Sequence, residues 1–117
     1  MSDQACWIAA DKLAAFMIEV FKGVGVPEDE ARICSDVLIT ANMRGIDSHG
    51  ISRLKPIYYD RIVEHKIQSP TTEFEIVRDH KSTAVVDGHD GMGMVIGKRC
   101  MEMAIEKARE YGTGVVI

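Results

Sequence analysis

Between Asp11 and Met43 the apolar residues return every three or four positions with one interruption, which restricts the front of the chain to two amphipathic helices. Leu13, Phe16, Met17, Val20 and Phe21 form the first stripe, and Gly23 and Gly25 stop it as glycines do at helix C-termini. Pro27 followed by Glu28, Asp29 and Glu30 marks the next start, because proline suits the first helical position and carboxylates offset the positive end of the helix dipole. Ala31, Cys34, Val37, Leu38 and Ala41 supply the second stripe, which ends near Met43 before Gly45.

Beyond Gly45 the period changes. Ser48 to His65 reads as helical in two pieces, because Pro56 removes an interior hydrogen bond unless it opens a new first turn. Asp47 or Ser48 is placed to cap the first of these pieces. After Ser69 and Pro70, the residues Phe74, Ile76, Ala84 and Val86 fall in two alternating runs divided by Asp79, His80, Lys81 and Ser82, which predicts a strand pair. Ile96, Cys100, Met103, Ala104, Lys107, Ala108 and Tyr111 repeat at helical spacing until Gly112, and Val115, Val116 and Ile117 read as the opening of a buried strand that continues in a longer chain. The expected architecture is α/β, of α+β type within this chain. It has a helical region at 1–70 and the beginning of a mixed α/β domain at 71–117.

Composition narrows the function classes. The chain has 117 residues, 46% of them hydrophobic and 27% charged, which is a globular balance with room for one core but little for separate cofactor and substrate domains. A net charge of −4 with scattered Lys and Arg gives no electrostatic footprint for nucleic acid. Cys6, Cys34 and Cys100 are odd in number and widely spaced, so neither a disulfide framework nor a zinc knuckle is indicated, and a reducing cytoplasm is expected. The first apolar stretch carries Asp11, Lys12, Glu19 and Lys22, which argues against a membrane span or a signal sequence. His49, His65, His80 and His89 lack the short spacing of a metal site, and His65, His80 and His89 are assigned to a helix end and to turns. Met92, Met94, Met101 and Met103 are read as packing residues.

Two glycine-containing segments could carry chemistry. Gly91-x-Gly93-x-x-x-Gly97 follows a valine-rich strand, but its third glycine is one residue late for a dinucleotide fingerprint and no acidic residue marks a second strand. Turn geometry and close packing are the favoured reading there. The run Arg44-Gly45-Ile46-Asp47-Ser48-His49-Gly50-Ile51-Ser52-Arg53-Leu54 crowds ionisable and hydroxyl groups between two glycines. If the turn after Ser48 is helical, His49 and Arg53 project from one face, where a guanidinium can grip a carboxylate and an imidazole can exchange a proton with a nearby carbonyl oxygen. A helix cap beside an exposed histidine and a surface arginine would give the same pattern. A Ser-His hydrolase is disfavoured, because neighbouring side chains are expected to point apart.

That run is similar to the signature of the malate/L-lactate dehydrogenase family, which also includes sulfolactate, ureidoglycolate and 2,3-diketogulonate enzymes. The resemblance extends to the first two helices, the Val85-Val86-Asp87-Gly88 strand end, the Gly91-x-Gly93 loop and the helix through Ala104-Ile105-Glu106-Lys107-Ala108. It implies a fold that is not a Rossmann fold and a hydride transfer between NAD or NADP and a small 2-hydroxy or 2-oxo acid, malate or lactate first. It implies His49 as acid/base, Ser48 as a substrate-orienting hydroxyl, Arg53 as the carboxylate anchor, and a homodimer. Members are longer, so the cofactor site and a carboxylate partner for His49 are expected beyond Ile117, and the present chain alone is expected to be inactive. The rival readings are another substrate within the family, including a cyclic imine, or a non-catalytic helical interaction module.

Overall fold

A computed structural model describes residues 4–117. Helix α1 (Ala10–Gly23) and helix α2 (Glu28–Met43) pack as an antiparallel pair joined by a glycine turn in which Gly25 has a φ of +99°. The stripe residues meet as expected at Met17, Phe21, Ala31, Cys34 and Leu38, all buried in one cluster with Val26, Ile39, Leu54, Met92 and Val95. Phe16 and Val37, assigned to the same stripes, are instead 56% and 44% exposed. They lie at the margins of stripes wider than the contact each helix makes. Ser35 Oγ donates to the Ala14 carbonyl at 2.8 Å and ties the two helices within this core.

The segment after Gly45 is helical in more pieces than expected. Two 3₁₀ turns, Asp47–His49 and Ile51–Arg53, flank an extended Gly50, and a π-helical segment (Leu54–Tyr59) runs into the short helix α3 (Asp60–Val63). Pro56 falls in the first turn of the π-helical segment, where backbone N–H groups have no partner upstream in any case. No side chain caps either 3₁₀ turn, so the capping roles expected of Asp47 and Ser48 are not realised.

Strands β1 (Glu75–His80) and β2 (Thr83–Asp87) form the expected antiparallel pair. Asp79 and His80 belong to β1, and the turn shrinks to Lys81 and Ser82, with Lys81 at a φ of 50°. Helix α4 (Gly93–Tyr111) then carries the chain to β3 (Val115–Val116), which lies parallel to β2 and completes the sheet order β1-β2-β3. Gly114 permits this crossover, since a Cβ there would overlap the Ala104 carbonyl on α4. The sheet is small and mixed, with one helical crossover, and is not a Rossmann arrangement.

Two polar anchors join the sheet and α4 to the rest. Lys107, read as part of an apolar repeat, is buried with its ammonium on Asp79 and on the Lys81 carbonyl. Glu30, read as a dipole-complementing acid, is buried at the start of α2 and accepts from Arg99 of α4 at 3.0 Å. Val115 and Ile117 are 49% and 79% exposed, so the expected burial of the last strand is not met within this chain. The radius of gyration of 16.4 Å exceeds the roughly 13 Å of a compact domain of this length, which matches the apolar surface left open on the sheet. Among the described residues, no helix is long and apolar enough to cross a membrane.

The core predicts its own weak point. Truncating Phe21, which is 1% exposed and lies tilted against Tyr58 with ring centroids 5.9 Å apart, removes the largest side chain of the cluster. Phe21→Ala is expected to lower unfolding stability by about 3–5 kcal/mol in a denaturant titration. A loss below about 1 kcal/mol would place the main core elsewhere.

Candidate active site

The end of α2 builds the site. Asn42, in its last turn, reaches over the break at Gly45: its Oδ1 accepts the Ile51 N–H at 2.8 Å and its Nδ2 donates to Asp47 Oδ1 at 3.0 Å. Gly50 is buried directly beneath this amide, and a Cβ at that position would overlap it. The second glycine of the motif is therefore explained by close packing rather than by a left-handed conformation, since its φ is −96°.

His49 and Arg53 do come together, though not along one continuous helical face. Each ends its own 3₁₀ turn, and Arg53 folds back so that Nε donates to the Ser48 carbonyl at 2.9 Å and Nη2 meets His49 Nε2 at 3.2 Å. Ser52 Oγ adds a bond to the Asp47 carbonyl at 2.7 Å, so each half of the motif is stitched to the other. Ser48 Oγ lies 2.9 Å from His49 Nδ1, contrary to the expectation that neighbouring side chains at 48 and 49 diverge.

For a neutral ring, this network is compatible with one tautomer. A guanidinium N–H can only donate, so Nε2 must accept, and the proton of the neutral ring then sits on Nδ1 and is donated to Ser48 Oγ. In that state the ring cannot take a proton from Ser48, and the closeness of the two residues gives no nucleophile–base pair. The guanidinium spends one edge, Nε and Nη2, on the protein. Its remaining nitrogen, Nη1, makes no hydrogen bond among the described residues, and the Nη1–Nη2 edge has the fork geometry that matches a carboxylate once Nη2 is released from His49. His49 and Ser48 are exposed and no carboxylate among the described residues bonds the imidazole, so a second molecule that displaces Arg53 Nη2 can reach Nε2.

Behind the site, Tyr58 packs on Phe21, and burial first, then the nearby Cys34, raises its phenol above the ordinary range. Cys34 is itself pushed up to about 12, chiefly by burial, which keeps it an inert thiol. Asn42 is the residue that reading the sequence missed. Its signal was a side chain with both a donor and an acceptor, placed one turn before a loop holding two glycines.

The glycine turn before α4 is no cradle. At Gly91 a Cβ would lie 3.0 Å from the Gly88 carbonyl and from Thr72 Cα, so the space is filled by protein as the packing reading expected, whereas Gly93 and Gly97 face open space. His65 follows α3, His80 pairs with Thr83 in β1 rather than lying in a turn, and His89 occupies a turn at a φ of 46°. His89 Nε2 bonds Glu75 at 2.6 Å, with Glu73 and Asp87 carboxylates within 3.9 Å. Its hydrogen-bond partner Glu75 is 14 residues away in sequence, which is why the histidine looked isolated there.

A family model described as malate/L-lactate dehydrogenase matches residues 8–117. The malate dehydrogenase of Pyrococcus horikoshii is 39% identical over 110 residues, which are 94% of this chain and 30% of that protein. The L-sulfolactate dehydrogenase of Methanocaldococcus jannaschii is 44% identical over 100 residues, 86% of this chain and 28% of that one. The solved structure of malate dehydrogenase from Pyrococcus horikoshii OT3 superimposes with a TM-score of 0.92 at 36% identity, over 98% of this chain and 32% of that one. The chain thus spans about a third or less of the length of these relatives.

Hydrogen bonding to Glu75 raises the His89 pKa above its ordinary value, against a smaller opposing effect of burial. Its contribution to stability is therefore present at acid pH and fades as pH rises through the raised value. Glu75→Gln is expected to move the His89 titration, followed by proton NMR, back toward lower pH. An unmoved midpoint would show that Glu75 is not the partner that holds the proton.

Proposed function

Because the chain belongs to the malate/L-lactate dehydrogenase family, we propose that it carries the acid-handling half of a nicotinamide-dependent oxidoreductase acting on a small 2-hydroxy or 2-oxo acid. The observation that carries this reading is the juxtaposition of an exposed imidazole with a guanidinium whose Nη1 makes no hydrogen bond among the described residues, 3.2 Å apart at their nearest nitrogens. Malate with oxaloacetate and lactate with pyruvate are the first candidate pairs. Sulfolactate is the principal alternative, supported by the 44% identity to the Methanocaldococcus protein.

In the proposed reaction the substrate carboxylate docks on the Nη1–Nη2 edge of Arg53 through two parallel hydrogen bonds, taking the place of His49 on Nη2. The adjacent carbonyl oxygen then lies toward His49 Nε2. A nicotinamide cofactor, when bound, would supply the hydride for the carbonyl carbon. His49 supplies the proton to the oxygen, which requires Nε2 to be protonated and therefore no longer to accept from Arg53. The guanidinium keeps its Ser48 carbonyl bond through Nε while Nη2 turns to the carboxylate. Ser48 Oγ, accepting from Nδ1, holds the ring plane throughout and leaves its own hydroxyl proton free for the substrate. Oxidation of the hydroxy acid reverses these steps.

No residue of this chain is assigned to the cofactor, since the Gly91 turn is filled by Thr72 and Gly88. The cofactor site and a carboxylate that steadies the imidazolium are proposed to come from other parts of a family-length protein, and the present chain alone is proposed to be inactive.

Two substitutions test the roles in the full-length enzyme. His49→Asn is expected to lower turnover by about 100-fold or more with cofactor affinity nearly unchanged, measured by steady-state kinetics and by quenching of protein fluorescence with NADH. Wild-type turnover in that variant would remove His49 from the chemistry. Arg53→Lys is expected to raise KM for the oxoacid about tenfold or more, because an ammonium cannot reproduce the planar fork. Unaltered KM and kcat would take Arg53 out of the site.

A further inference from the structure

His49 and Arg53 occupy separate short turns with an extended glycine between them, so no continuous helix sets their distance. Something outside the loop must hold the two turns in register if proton transfer and carboxylate binding are to act on one molecule. The side chains of Ser52 and Arg53 bond only to groups of the same loop, which joins the turns to each other but not to a rigid element. Ile51 and Leu54 pack on the core but place only the second turn. Among the described residues, one side chain of the helical scaffold hydrogen-bonds both turns, and it is Asn42.

We propose that Asn42 is the positioning residue of this site, acting through the Gly50–Ile51 peptide to set His49 against Arg53. The inference rests on the reading of His49 and Arg53 as proton donor and carboxylate anchor. The two halves of the amide do unequal work. The bond to Asp47 is exposed, where water substitutes readily for either partner. The bond from Ile51 N–H to Oδ1 is partly buried beside Gly50, where the amide lies on the glycine itself and a lost acceptor leaves a backbone donor unsatisfied. The acceptor half is therefore the one that fixes the geometry. A carboxylate at this position keeps that acceptor, while Asp47, on the exposed side, is free to rotate away from it.

The site also explains why the motif needs a glycine at 50. Any side chain there would push the Asn42 amide off Ile51 and separate the turns, so Asn42 and Gly50 form one device.

The test uses the full-length enzyme with NADH or NADPH and oxaloacetate, pyruvate or sulfopyruvate, comparing Asn42→Ala, Asn42→Asp and His49→Asn. Asn42→Ala is expected to lower kcat by about 10- to 100-fold, the scale on which small misplacements of reacting groups act, with KM for the cofactor unchanged. Asn42→Asp is expected to recover kcat to within about fivefold of wild type, because the acceptor to Ile51 is retained. Thermal melts of each variant accompany the kinetics. If Asn42→Ala keeps wild-type kcat, or if Asn42→Asp falls as far as Asn42→Ala while melting like wild type, the positioning role is overturned. If His49→Asn keeps wild-type turnover, the reading of the site fails first and the role of Asn42 falls with it. Loss in His49→Asn without loss in Asn42→Ala defeats the positioning role alone.

Discussion

The amide of Asn42 occupies the space that a side chain at position 50 would need, and the motif between α2 and the π-helical segment is built around that contact. Because Gly50 yields this space, the Ile51 N–H finds an acceptor on a rigid helix instead of on water. The two 3₁₀ turns are thereby fastened at a defined angle to the α1–α2 pair, whose own register is set by buried Met17, Phe21, Cys34 and Leu38 and by the Ser35 bond to Ala14. Core packing thus reaches the loop through Ile51 and Leu54 at its second half and through the Asn42 amide, which bonds both turns.

The hydrogen bonds at the site have a direction that bears on chemistry. Arg53 donates to Nε2, Nδ1 donates to Ser48 Oγ, and the serine proton is left over. A ring held in this way is ready to accept at Nε2 only when the guanidinium moves, and the group best able to draw a guanidinium aside is a carboxylate. Under the proposed reading, substrate recognition and the freeing of the imidazole are one event, which links the acid group of the substrate to proton transfer as well as to affinity.

Much of this was legible in the sequence, and the parts that were not have physical reasons. The helices α1, α2 and α4 and the β1–β2 pair follow from apolar period and glycine stops, because local pattern and tertiary packing agree there. Phe16 and Val37 escaped correct placement because periodicity marks a face without marking how much of it a neighbour covers. The proximity of His49 and Arg53 was anticipated from their spacing, yet it arises from two turns and a folded-back guanidinium instead of one helix. Lys107 reads as one position of an apolar repeat and Glu30 as a dipole-complementing acid, and the polar partners that accompany their burial come from Asp79, Lys81 and Arg99, which only the tertiary fold brings near. Asn42 was silent for the same reason, since both its partners lie across a chain reversal.

The central claim is that the imidazole at 49 and the guanidinium at 53 address the same small acid. A crystal structure of the full-length enzyme with NADH and oxamate, an unreactive mimic of a 2-oxo acid, tests it most directly. The oxamate carboxylate is expected on the Nη1–Nη2 edge of Arg53, with its amide oxygen within about 2.6–3.2 Å of His49 Nε2. An oxamate bound elsewhere, or an imidazole still capped by Arg53 with the ligand in place, would contradict it.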